Sequence, residues 1–375
     1  MSGVLITEHV TLDGRRLGHI QLDAERSLNA LTLAMIEQML AVLGRWQQDA
    51  DLVAVLLDGA GDKAFCAGGD VVSLYHGIRA TEPAAADGLG PIPALAARFF
   101  EQEYRLDYLL HTFGKPVLCW GSGVVMGGGM GLLMASSHRI VTDSSRLAMP
   151  EASIALYPDV GGSWFLNRLP PGVGEFIALT GCAINGSDAH WLGLGNRAIA
   201  ADQRSHLLPA LLAVSNWNLA EVAINTVLRQ LEEDSLAAFA GLPSPLKLHQ
   251  PQIRRLLDKD SLQEKMAAIL GAELEDPWYH KVRQSLAAGS PLAIAIIAEQ
   301  LRRSRHCSLA EVFQKELALS VQLCRFREFP EGVRARLIDK DNQPDWTFNS
   351  LAEVNEKLLA ELFESPWAIN PLADL

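Results

Sequence analysis

The chain has 375 residues, 49% apolar and 20% charged, with a formal net charge of -12. That is room for a large core without staples: a main domain of roughly two hundred residues and a smaller one beside it. The acidic balance argues against a nucleic-acid backbone as main partner, and five scattered cysteines without CxxC or Cys/His spacing argue against a disulfide framework or a zinc site.

The N-terminal residues contain Glu8 and lack the apolar core of a secretory signal, so a cytoplasmic location is expected. Alternation of Val4, Ile6, Glu8, Val10 and Leu12, the turn Asp13-Gly14, and then Ile20 and Leu22 predict a hairpin. Leu31, Met35, Met39 and Val42 recur at helical spacing. Val53 to Leu57 is an apolar run ending in Asp58-Gly59, which predicts a buried strand. Residues 81–93 (TEPAAADGLGPIP) read as a surface excursion suited to a mobile lid, followed by a helical pattern from Ala94 to about Thr112.

Val117 to Ser137 carries no formal charge and is long enough to span a bilayer. Its six glycines favour another reading, a buried strand, a glycine turn and the start of a buried helix. Arg139 to Thr142 is a further strand, and the strand–helix–strand cadence argues for an α/β fold. Beyond Ala198 the pattern is almost wholly helical, with Leu207 to Leu231 the clearest stretch, and a boundary is placed near Asp202. The expected domains are therefore residues 1–201, a catalytic core, and 202–375, a mainly helical part.

Three segments carry potential chemistry. Lys63-Ala64-Phe65-Cys66-Ala67-Gly68-Gly69-Asp70 follows the buried strand, and small residues there let backbone approach a ligand and leave N–H groups for an oxygen. A turn that merely packs fits the same residues, and the spacing is not GxGxxG. Met126-Gly127-Gly128-Gly129-Met130-Gly131 places three consecutive glycines in an apolar segment, at a conformational cost of roughly 0.5–1 kcal/mol each relative to alanine. Close helix packing accounts for such a run; so does an oxyanion hole with one N–H from each glycine turn. In Met149-Pro150-Glu151 through Tyr157-Pro158-Asp159-Val160-Gly161-Gly162, two acids bracket an apolar stretch, surroundings that disfavour ionisation and suit proton transfer near neutral pH. No GxSxG elbow supports a serine triad.

In this order and spacing the three segments, with Arg26-Ser27-Leu28-Asn29-Ala30-Leu31 ahead of them, resemble the enoyl-CoA hydratase/isomerase (crotonase) superfamily from Arg26 to about Asp202. Within it, the chain is more similar to the 3-hydroxyisobutyryl-CoA hydrolases of valine breakdown. The residues carrying that likeness are Met149-Pro150-Glu151, Tyr157 to Gly162, Gln102-Glu103-Tyr104 and the late Glu331-Gly332-Val333-Arg334-Ala335 and Leu337-Ile338-Asp339-Lys340-Asp341. Where hydratases place a glutamate after the triple glycine this chain has Gly131, and where they often have glycine it has Asp159.

The resemblance implies a spiral of ββα units with a helical C-terminal region, serving as cap or oligomerisation arm. It implies a small-molecule acyl-CoA substrate, CoA being part of that substrate, with no separate cofactor, metal, nucleic acid or membrane partner. Residue by residue, Gly69 and Gly128 would hold the thioester oxygen and Glu151 and Asp159 would handle water and protons. Glu103 and Gly128 would line the substrate site with them, and Arg26, Leu28, Ala67, Gly68 and Asp70 would meet CoA. A hydratase or isomerase using Glu151 with Asp159, and a non-catalytic binding protein on the same scaffold, are the competing expectations.

Overall fold

The computed structural model describes residues 3–81 and 88–375. Residues 82–87, within the expected lid, lie outside the described residues. Two compact units are built from interleaved stretches: residues 1–69, 106–147 and 183–247 in the first, and 70–105, 148–182 and 248–375 in the second.

The first unit holds the sheets. Its strands are β1 (Val4–Val10), β2 (Arg16–Leu22), β3 (Leu52–Gly59), β4 (Ala64–Cys66), β5 (Val117–Gly121), β6 (Val124–Met126), β7 (His138–Val141), β8 (Arg146–Ala148, its last residue counted with the second unit), β9 (Ile184–Asn185) and β10 (Arg197–Ala198). One sheet runs β1-β2-β3-β5-β7-β10 and the other β4-β6-β8-β9. Successive strands thus alternate between sheets: β3 then β4, β5 then β6, β7 then β8. The expected spiral of strand–strand–helix units is this alternation, with helices Val71–Arg79 and Gly128–Ala135 following two of the pairs. Pairing is parallel from β2 through β10 in the larger sheet, because each return to it is made by a crossover rather than a tight turn.

β1 and β2 form the predicted antiparallel hairpin, Val4 opposite Leu22 and Val10 opposite Arg16. β3 is buried along most of its length, as its apolar run requires. Ala54, Leu56, Leu118 and Trp120, at period-two spacing, pack in one core with Leu207, Leu211, Trp217, Ile224, Leu228 and Leu231. The uncharged stretch from Val117 divides into β5, β6 and the short helix Gly128–Ala135, and no helix among the described residues is long and apolar enough to cross a membrane.

The stretch from Leu207 to Leu231 is not one helix. It is Arg204–Leu212 and Ala220–Ala240, with a break between them. Ser215, Asn216 and Asn218 are turn formers, and the break is tied to the β1–β2 turn by the Trp217 amide, which donates to Asp13 Oδ2 at 2.9 Å. Apolar periodicity runs on through such a break because Trp217 is itself buried in the core.

The second unit is helical. The helix beginning at Ala94 ends at His111, close to the expected limit, and contributes its residues up to Arg105. Helix Leu309–Arg325 is fixed at its start by a capping box: Ser308 Oγ accepts from the Glu311 amide, and the Glu311 carboxylate accepts from the Ser308 amide. Helix Pro291–Ser304 is capped by Ser290, whose Oγ also donates to Glu328 at 2.6 Å.

Candidate active site

In the first unit the two glycine turns lie side by side. The Leu31 amide donates to the Gly68 carbonyl at 2.8 Å and the Ala67 amide to the Leu28 carbonyl at 3.0 Å, and Leu31 bridges Gly69 in parallel. These contacts join the 26–31 segment to the first glycine turn. Gly68 has φ +114, and a methyl on it would sit 3.4 Å from the Met126 carbonyl oxygen and 3.9 Å from the Gly128 nitrogen. At Gly129 a methyl would sit 2.3 Å from the Cys66 carbonyl oxygen. Gly129 is therefore required because backbone meets backbone there, and Gly127 because its φ is +47. Gly128 opens its helix, where amides have no intrahelical acceptor.

Asn29 is the hub of this region. Fully buried with φ 58, it accepts from the Ala24 amide at 3.0 Å and donates to the Ala60 and Ala64 carbonyls at 3.0 and 2.9 Å. Arg26 beside it is exposed and free to meet an anion. Asp70, in the second unit, caps helix Val71–Arg79, accepting from the Ser73 amide at 3.1 Å and hydroxyl at 2.6 Å.

In the second unit Glu103, Glu151 and Asp159 come together, each 3–5% exposed. Glu151 starts a single 3-10 turn ending at Ile154, with Ala155 closing it in the left-handed region. Burial pushes the Glu151 carboxyl well above the ordinary range, and the Asp159 and Glu103 charges push the same way. Glu103 is likewise pushed well up, by burial and then by Asp159. Asp159 is raised only to about 6: burial drives it up, while the Tyr104 hydroxyl, donating to its Oδ2 at 2.6 Å, opposes the rise. Among the described residues, one oxygen of Glu103 and one of Glu151 are buried without a hydrogen-bond partner. Cost of that kind is tolerated where a substrate supplies the partner.

Behind Asp159 the backbone is strained. Val160 has φ 49, a rare conformation for a β-branched residue, and Gly161 has φ 80. Glu316, wholly buried, holds this turn by accepting from the Gly161 amide at 2.8 Å, the Ser163 amide at 3.2 Å and the Ser163 hydroxyl at 2.7 Å. Burial, then the Asp159 charge, raises Glu316 to about 8 against those donors. Tyr157 and Ser320 complete the cluster, Tyr157 donating to the Glu316 carbonyl at 2.9 Å.

Reading the segments one by one misses Glu316 and Ser320. The signal available was a helix whose buried stripe of Phe313, Leu317 and Val321 is interrupted by two polar residues at i and i+4. The late segment also has its reason. Arg334 holds Glu331, Asp339 and Asp341 at 2.6–2.9 Å, and the Glu331–Gly332 backbone packs against the Glu151 turn.

The enoyl-CoA hydratase/isomerase family profile matches residues 17–363. The chain is 35% identical over 350 residues to the mitochondrial 3-hydroxyisobutyryl-CoA hydrolase of Danio rerio, covering 93% of this chain and 87% of that protein. It is 34% identical to the Homo sapiens protein of the same name, covering 93% and 86%. Among solved structures it resembles a carnitinyl-CoA dehydratase from Mycobacterium thermoresistibile, with TM-score 0.84 and 30% identity over 99% of this chain and 98% of that one. An enoyl-CoA hydratase from Rhodobacter sphaeroides is similar at TM-score 0.80 and 30% identity, covering 97% and 98%. The chain therefore belongs to the enoyl-CoA hydratase/isomerase family, as a crotonase-superfamily enzyme that modifies acyl-CoA.

Proposed function

We propose that this enzyme hydrolyses acyl-CoA thioesters, with 3-hydroxyisobutyryl-CoA as its substrate. The observation that carries the reading is the buried pair Glu151 and Asp159, both pushed towards their protonated forms by burial, in a chain with glycine and no carboxylate at position 131. The names of the zebrafish and human relatives support the choice of acyl group.

The Tyr104 hydroxyl bond to Asp159 favours a carboxylate there, while one buried Glu151 oxygen has no hydrogen-bond partner, so Asp159 is assigned as base and Glu151 as acid. Asp159 takes a proton from water as the water oxygen bonds to the thioester carbon. The charge growing on the carbonyl oxygen is met by the Gly69 and Gly128 amides, donors whose individual removal typically costs on the order of 100–1000-fold in rate. The carbon–sulfur bond then breaks and the departing sulfur takes the Glu151 proton. The acid product returns a proton to Glu151, and Asp159 releases its own to solvent. Glu103 meets the polar end of the acyl group and Arg26 the phosphates of CoA, and the family resemblance assigns Leu28, Ala67, Gly68 and Asp70 to CoA as well.

The test is release of free thiol from a panel of acyl-CoAs by the wild type, Glu151→Gln and Asp159→Asn. Both variants are expected to lose activity on the best substrate, and near-normal rates in both would overturn the assignment. A second reading, hydration, is favoured by the names of the two solved relatives. Hydration of crotonyl-CoA faster than thiol release from any substrate would establish it instead.

A further inference from the structure

Four short contacts run in line from the Asp159 carboxylate into the second unit. Tyr104 Oη lies 2.6 Å from Asp159 Oδ2 and 2.8 Å from Ser320 Oγ; Ser320 Oγ lies 2.9 Å from Tyr157 Oη; and Tyr157 Oη lies 2.9 Å from the Glu316 carbonyl oxygen. Every one of these residues is at most 4% exposed, so bulk solvent does not complete the count. The three hydroxyls bring three protons, and the carbonyl at the far end only accepts.

With Asp159 ionised, Tyr104 must donate to it, and Ser320 can then donate to Tyr104. Tyr157 donates to the Glu316 carbonyl, and the Ser320–Tyr157 contact is left with no proton. With Asp159 protonated, the carboxyl donates to Tyr104, Tyr104 to Ser320, Ser320 to Tyr157 and Tyr157 to the carbonyl. All four contacts are then filled. Such chains strengthen cooperatively when every member points the same way.

We propose that Tyr104, Ser320 and Tyr157 form a hydroxyl chain that reverses direction when Asp159 takes a proton, making them positioning residues for the proton-loaded carboxyl. In a hydrolysis begun by Asp159 that loaded form arises as the tetrahedral intermediate forms, so the Ser320–Tyr157 end of the chain, filled only then, favours the state reached during reaction, while the charge-assisted Tyr104 bond favours the resting one. The proposal rests on the reading of Asp159 as base only for its catalytic consequence, since the proton count itself needs no substrate. Other titratable groups facing Asp159 are Glu103, Glu151, Glu316 and Cys324, all buried, so isotope labelling of aspartate is needed to single it out.

The experiment is a pH titration of the protein with carboxyl-13C aspartate, followed by infrared spectroscopy, with Asp159→Asn identifying the Asp159 band. Tyr104→Phe removes a charge-assisted donor to the ionised form, so the midpoint is expected to rise by about one pH unit. Ser320→Ala removes no donor to Asp159 but leaves the Tyr104 proton without an acceptor once Asp159 is protonated, so the midpoint is expected to fall by about one unit. Tyr157→Phe, which abolishes the same end of the chain by another route, is expected to shift in the Ser320→Ala direction. Opposite shifts in Tyr104→Phe and in either of the other two variants support the chain; shifts of one sign, or none, overturn it. Thiol release by Asp159→Asn at the wild-type rate, with the opposite shifts intact, would sink the reading of Asp159 as base and leave the chain standing.

Discussion

Gly332 lies against the backbone of Ile154: a methyl on Gly332 would come within 2.6 Å of the Ile154 Cα and carbonyl carbon. Ile154 ends the turn that Glu151 begins, and the same turn is tied from another side by the Ser290 amide, which donates to the Ala152 carbonyl at 3.0 Å. A residue some 180 positions away in sequence therefore sets where a candidate catalytic carboxyl stands.

Gly332→Ala is expected to displace that turn. Overpacking against backbone that cannot rotate away costs about 1–3 kcal/mol, and a small misplacement of Glu151 costs rate beyond the loss of stability. Thermal unfolding and thiol release should both fall. A variant with wild-type melting temperature and rate would show that the turn yields to the methyl.

Asn29→Ala removes three hydrogen bonds from a wholly buried residue in the left-handed region, at an expected cost of about 2–3 kcal/mol. Asn29→Asp should be worse, because it turns an acceptor towards the Ala60 and Ala64 carbonyls. Chemical denaturation of the three proteins orders them. Alanine as stable as wild type would mean that Asn29 does not hold the segment.

These two cases show what was legible in the sequence. The alternation of β1 and β2, the apolar run of β3 and the glycine turns are local patterns, and they appear where expected because each depends on neighbours a few residues away. Glu151 and Asp159 were readable because prolines and apolar residues mark their positions. Their partners were not. Glu316, which holds the turn after Asp159, and Ser320, which meets Tyr104 and Tyr157, come from a helix whose pattern is otherwise that of any buried helix, and only the fold brings them there. The break around Trp217 was hidden for the opposite reason, since its buried indole continues the apolar pattern through a turn.

The pH dependence of activity follows from Asp159. Its carboxyl is raised to about 6, so it carries its proton below that pH and is ionised above it. With Asp159 as base, kcat/KM should fall on the acid side with a midpoint near 6 and approach a plateau above it. The residual activity of Asp159→Asn should lack that limb. A wild-type profile flat from pH 5 to 8 on a substrate limited by chemistry would remove Asp159 from the base role.

Stability should run the other way with pH. Glu316 is raised in the folded protein from an ordinary 4.5 to about 8, so folding favours its protonated form. Its contribution is fully present below about 4.5 and is lost as pH rises through 8, because the unfolded chain releases this proton first. Glu103, Glu151 and Asp159 are shifted in the same direction and add to the slope. Unfolding free energy measured with denaturant should decrease from pH 5 to pH 8.5. Glu316→Gln cannot titrate, and its amide presents an N–H to one of the donors that Glu316 accepts. The variant should therefore show a flatter dependence over that interval, whatever its stability at any one pH. Parallel curves for wild type and Glu316→Gln would mean that Glu316 ionises no differently in the folded and unfolded chain, and that the turn after Asp159 is held against a carboxylate that is charged throughout.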